Sequence, residues 1–162
     1  MISIQNLTDF YSRNLEIIKM QAEGLTHEDS LIQLPFRSNC LNWAVGHILA
    51  NRCNILALLG AEDLRPEVNL NHYERESDPV LREGEGVLPL EELIDHLEES
   101  QIRLTAALEN ETEESLQRTA PYRDRPERPL SYWLFFLYFH DSYHVGQTEI
   151  LRQAAGKDDK II

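Results

Sequence analysis

Apolar and polar positions follow a helical period over four stretches of the chain, and between them the period lapses. From 3 to 23, Ile4, Leu7, Tyr11 and Ile18 share one face, which continues to Leu25 past a stop at Gly24. Thr26-His27-Glu28-Asp29 has the composition of a short capped turn before Pro35, with His27 as a solvated first-turn residue. A second helix is predicted over 42–59. Asn39 to Asn42 offer cap residues, Ala44, Ile48, Ile55 and Leu59 supply the apolar face, and Gly60 ends it. A third, over 89–108, opens on Pro89 with Glu91 and Glu92 in its first turn. Its stripe of Leu90, Leu93, Leu97, Leu104 and Leu108 is interrupted at Ser100 and Gln101, which either face a polar pocket or mark a loosened centre.

The fourth helix, over 130–155, organises the rest. Its stripe reads Leu130, Trp133, Leu137, His140, His144, Gln147, Leu151, Ala154, in steps of three and four, as the inward seam of a bundle helix does. Three of these positions are polar where a bland seam carries leucine or isoleucine. An unpaired polar group buried there would cost about 1–3 kcal/mol, so the rings need a partner. His140 and His144 lie four apart, project to one side and can share a metal ion. His47, on the flank of the second helix, reads by itself as a satisfied boundary histidine. His72 and His96 read as solvated and boundary residues.

Two connections separate these helices. Residues 61–88 hold Pro66, Pro79, Gly84 and Gly86 and no sustained period. So long a connection makes sense as a crossover that lets the second and third helices run parallel. Residues 109–129 hold Arg118, Arg123, Arg125 and Arg128. They read as a solvated loop paired with carboxylates, the alternative being a receiver for an anionic substrate. The expected class is all-α: a single four-helix bundle with a long crossover, forming one domain over 1–156 and a tail over 157–162.

Composition narrows the function. The 28 acidic and 15 basic side chains leave a formal charge of −13, which opposes nucleic-acid binding. No apolar run approaches the ~20 residues of a membrane span, and no signal peptide is legible. Cys40 and Cys53 form no disulfide framework, and with the acidic surface they suggest a soluble cytoplasmic protein. Asp141 follows His140 where a zinc protease helix would need glutamate, and neither Cys-x-x-Cys nor a glycine-rich phosphate loop is present.

Asn42-Trp43-Ala44-Val45-Gly46-His47-Ile48, followed by His140-Asp141-Ser142-Tyr143-His144-Val145-Gly146-Gln147-Thr148-Glu149-Ile150-Leu151-Arg152, resembles the DinB/YfiT-like superfamily of metalloenzymes. The resemblance covers nearly the whole chain. It implies a four-helix bundle in which His47, from the second helix, joins His140 and His144 from the fourth around one divalent ion. Zinc or nickel is the expected metal, and imidazole ligation also suits iron and copper. Gln147, Asn51, Tyr143 and Asp141 are the nearest candidates to orient the ligands or touch a small-molecule substrate. The resemblance further implies a transferase that activates a low-molecular-weight thiol such as bacillithiol or mycothiol. A metal-dependent hydrolase or isomerase, or a non-catalytic metal-binding or stress-response protein, are the alternatives. Members commonly dimerise, and Tyr132, Trp133, Phe135, Phe136, Tyr138 and Phe139 surround the fourth helix, so a homodimer is expected.

Overall fold

The computed structural model describes residues 3–161, which form a mostly helical chain with one small sheet. Four long helices carry it: α1 (Ile4–Ala22), α3 (Leu41–Leu58), α4 (Leu90–Glu109) and α5 (Leu130–Ala154). The short α2 (His27–Ser30) is closed by a capping box between Thr26 and Asp29. His27 is not merely solvated there. Its Nδ1 accepts the backbone N–H of Leu90, the first residue of α4, and its Nε2 pairs with Glu83. Pro89, at the cap position of α4, makes no side-chain cap bond, so His27 supplies that contact from a distance.

Helix α3 is the central element. From Leu41 to Cys53 every residue is buried, a wider face than the four apolar positions read from its period. The cause is residues 61–88, which do not hang loose. Leu64, Val68, Leu70, Tyr73 and Val80 all enter the core packed around α3. Tyr73, in the 3₁₀ turn Asn71–Tyr73, lies flat on Gly46, where a Cβ would fall 2.2 Å from its Cδ1. No larger residue fits at 46 without displacing that ring. Tyr73 Oη donates to Asn42 at 3.0 Å and accepts the Leu88 N–H at 2.8 Å.

Contacts between the long helices fix their order. Along α3 and α4, residue numbers rise together: Asn42 donates to the Leu88 carbonyl, and Arg52 reaches Gln101. Along α3 and α5 they run oppositely, with Trp43 against His144 and Arg52 against Asp141. Helix α1 follows α5, Tyr11 Oη donating to the Leu134 carbonyl and Arg152 donating to the carbonyls of Gln21 and Glu23.

The connection before α5 is not an irregular loop. It folds into an antiparallel hairpin, β1 (Thr119–Tyr122) and β2 (Arg125–Pro129), with Thr119 opposite Pro129 and Tyr122 opposite Arg125. Arg123 turns the chain at φ +54°, a left-handed conformation that strains a side-chain-bearing residue. Trp133 Nε1 donates to the Ala120 carbonyl at 2.8 Å, fastening the hairpin to α5. The strands lie outside the helical core, and only Ala120 of β1 is buried.

The seam of α5 is wider than its predicted stripe. Its buried line includes Leu134, Leu137, Asp141, Val145, Thr148 and Arg152, because α1 and α3 both pack on this helix and the face between them turns inward. Of the predicted stripe, Leu130, Trp133, Leu137, His144 and Leu151 are buried, His140 and Gln147 are half-buried and Ala154 is exposed. The interruption in α4 is explained as well. Ser100 donates to the Leu97 carbonyl, and Gln101 Oε1 accepts from the buried Arg52 at 2.8 Å. Both polar side chains of the interruption are therefore hydrogen-bonded within the bundle.

Candidate metal centre

His47 lies in the second turn of a helix buried all round, so both ring nitrogens need partners. Its Nδ1 sits 2.5 Å from the Tyr73 carbonyl oxygen. A carbonyl only accepts, so Nδ1 carries the proton and Nε2 keeps its lone pair. Trp43, one turn earlier, stacks on the ring with centroids 4.4 Å apart and planes 14° from parallel. On α5, His144 Nδ1 lies 2.8 Å from Gln147 Oε1, which fixes the same tautomer when the amide oxygen faces the ring. Gln147 is thus in hydrogen-bond contact with one ring of the cluster. His140 Nε2 faces His47 Nε2 at 3.3 Å, and its own Nδ1 is buried without a partner among the described residues.

One ligand atom from each of His47, His140 and His144 lies within 4.8 Å of the others, and among the described residues no other group of three histidine, cysteine or acidic side chains converges so. Their protonation suits a cation. Burial depresses the His140 pKa to about 4, with the neighbouring His144 and His47 adding to it. Burial likewise holds His144 at about 4, partly opposed by Gln147. Burial lowers His47 too, against the pull of the Tyr73 carbonyl. At neutral pH the cluster is three uncharged imidazoles, with the Nε2 lone pairs of His47 and His144 left free by the Tyr73 carbonyl and Gln147, a donor set that suits a divalent transition metal. The residues fit such an ion.

The remaining candidates fall in different places. Asp141 follows His140 in sequence but points between the helices, where its side chain is wholly buried against Arg52 at 2.7 Å and Asn51 at 2.5 Å. Burial pushes this carboxyl up, while Arg52 and Asn51 pull it back. It makes no hydrogen bond to the histidines. Asn51 also donates to the Leu137 carbonyl and borders a cavity beside His47 and His140. Tyr143 is 59% exposed and meets His144 only edge to face. The Tyr73 carbonyl has no sequence signal, because the contact is made by backbone in a connection without periodicity. Arg52 did have one: it is the lone charge in a helix of apolar and neutral residues, and a charge so placed requires a partner.

Two cavities meet at the cluster. One, of about 270 Å³, lies under the hairpin between His47, His140, Tyr122 and Phe136. The other, of about 780 Å³, opens past Trp43, His144, Phe36 and Leu81. Both cysteines are buried elsewhere, and burial raises both thiols above their ordinary range.

The sequence profile of the DinB superfamily matches residues 14–148, a span that includes all three histidines. The chain belongs to the DinB superfamily. Solved structures share its fold, among them the following two. A conserved protein from Enterococcus faecalis is 18% identical, covering 97% of this chain and 99% of its own, with a TM-score of 0.75. A DinB-like protein from Bacillus cereus ATCC 10987 is 20% identical over 99% of both chains, with a TM-score of 0.73. Among curated proteins none matches this DinB-superfamily chain. Among its described residues no helix is long and apolar enough to cross a membrane.

The depressed histidines set a pH dependence. Unfolded, these rings would titrate at the ordinary imidazole value of 6.5; folded, His140 and His144 resist protonation down to about 4. Between those values the unfolded chain takes up protons that the folded chain refuses, so the pair lowers the stability of metal-free protein as pH falls from 6.5 towards 4. Proton NMR of the metal-free protein should show both rings titrating near pH 4. Titration of either near 6.5 would mean that the cluster is more hydrated than its burial implies.

Proposed function

We propose that this chain is a divalent-metal-dependent transferase that activates a low-molecular-weight thiol for attack on an electrophilic carbon. The observation that carries the reading is the cluster itself: three uncharged imidazoles converge where two cavities meet. Both of the chain's thiols are buried and held protonated, so the nucleophile comes from solution. His47, His140 and His144 are the proposed ligands, for zinc or nickel first and iron or copper next. Held by three neutral ligands, such an ion would supply Lewis acidity that lowers the pKa of a thiol towards neutral pH. The chain's own residues prepare the site. Tyr73 and Gln147 fix two ring tautomers, Trp43 covers His47, and the larger cavity admits a second molecule beside His140 and His144. A sulfur–carbon bond forms and the thiol proton leaves to solvent, while a halide departs or an epoxide C–O bond opens and its oxygen takes a proton from solvent.

The same reading takes residues 1–156 as one domain, a four-helix bundle in which 61–88 is the crossover, with 157–162 as a tail in a cytoplasmic protein. The shared direction of α3 and α4 supports the crossover, and Asp159 of the tail pairs with Arg152 at 3.0 Å. It also takes the chain as a homodimer. Of the six aromatics round α5, Trp133 is buried and Phe136 and Tyr138 half-buried, but Tyr132, Phe135 and Phe139 remain exposed and Tyr143 extends their face. Light scattering should give twice the monomer mass, and a monomer at micromolar concentration would remove this part of the reading.

The reaction is tested by following thiol loss with a chlorinated aromatic or epoxide acceptor, using bacillithiol, mycothiol, glutathione and coenzyme A in turn. Zinc-loaded wild type should accelerate at least one pairing, and His140→Ala should return it to the uncatalysed rate. Equal rates in the two proteins for every thiol would exclude the transferase and favour a site that only binds metal.

A further inference from the structure

The two cavities at the histidine cluster carry a charge opposite to that of the chain. Arg75, Arg123 and Arg125 line the smaller one against a single carboxylate, Glu74. Arg37 and Arg75 line the larger one against Glu76 alone. In a chain with 28 acidic and 15 basic side chains, an indifferent surface would put about twice as many acids as bases there. Four bases and two acids border the cluster instead.

In the smaller cavity two of the arginines lie against aromatic rings. Arg123 and Arg125 flank the turn of a hairpin that Trp133 fastens to α5. The Arg125 guanidinium lies 4.8 Å from the centre of the Phe136 ring, and Arg123 lies 5.6 Å from that of Tyr122. Stacking on a ring holds a guanidinium plane while leaving its N–H edge for a planar anion. Glu74 is engaged by Arg65 at 3.6 Å and by Arg123 at 3.4 Å. Arg125 has no ion-pair partner among the described residues.

We propose that the cavity under the hairpin is an anion pocket, in which Arg123 and Arg125 receive the carboxylate end of a small molecule whose reactive end lies at the histidines. This rests on the reading of the cluster as a metal and substrate centre, and it names the class of substrate that centre takes. A volume of about 270 Å³ admits a short dicarboxylate fragment. Specificity follows from charge: the overall field of −13 repels anions, so only an anion that reaches this pocket is held.

The test is isothermal titration calorimetry on the whole chain, with and without zinc, using succinate, mercaptosuccinate and inorganic phosphate. Succinate should bind the metal-free wild type. Arg123→Gln with Arg125→Gln should weaken it at least about tenfold, as expected for losing charge-assisted hydrogen bonds, while Arg13→Gln on the exposed face of α1 should leave it unchanged. Raised salt should weaken succinate in the wild type as well, a check that needs no variant. Phosphate binding more tightly than succinate through the same arginines would support the pocket with a phosphoryl ligand, and the reverse order supports a carboxylate. Mercaptosuccinate should gain over succinate only when zinc is loaded. Succinate that fails to bind at millimolar concentration, or binds the double variant as tightly as wild type, overturns the pocket. Arginine-dependent succinate binding with no gain for mercaptosuccinate on zinc loading keeps the pocket and removes the metal–thiol reading.

Discussion

Arg52 reaches all three neighbouring long helices from one point on α3. Its Nε donates to Asp141 of α5, one terminal nitrogen to Gln101 of α4, and the other to the Tyr11 carbonyl of α1. Its side chain is 2% exposed and that of Asp141 0%, so the pair lies in the low-dielectric interior. There the desolvation of two charges largely offsets their attraction, and such a pair contributes little net stability. Breaking it is another matter: removing Asp141 would leave a buried guanidinium unpaired at a cost of about 3–5 kcal/mol. Its effect is on register. A slip of one residue along α5 would strand the guanidinium, so Arg52 pins α3 and α5 at the level where His140 and His144 come opposite His47.

The site inherits its chemistry from that packing. Because α3 is buried all round, His47 is desolvated and must find its partner in the Tyr73 carbonyl, which Gly46 allows to approach. Desolvation keeps the three rings uncharged, and the carbonyl and Gln147 leave the Nε2 lone pairs of His47 and His144 free. The wrap of 61–88 that buries α3 also brings Glu74, Arg75 and Glu76 to the rims of the two cavities. One connection thus covers the core and reaches the site, while Arg123 and Arg125 come to it from the hairpin.

Much of this was legible in the sequence. The four helical periods predicted the long helices to within a few residues, and the His140–His144 spacing placed two rings together. The resemblance then supplied His47. What the periodicity missed depends on contacts between distant segments. The stripe of α5 was read too narrowly, because a seam shared by α1 and α3 also buries Asp141, Thr148 and Arg152. Polar residues there are satisfied by partners far along the chain, and no local pattern announces them. The hairpin over 119–129 was hidden for a related reason. Its strands are short, proline-bearing and mostly exposed, and their pairing is held by Trp133 rather than by an alternating apolar face.

The central claim is that His47, His140 and His144 act as one ligand set for a single ion in a chain that folds without it. The direct measurement is metal content with X-ray absorption on zinc-loaded wild type, alongside circular dichroism of the chelated protein. The account predicts one zinc per chain, a shell containing three imidazole nitrogens at about 2.0–2.1 Å, and helical dichroism that survives chelation. Sulfur in the first shell, zinc that binds as well after His144→Ala, or loss of helix on chelation would contradict it.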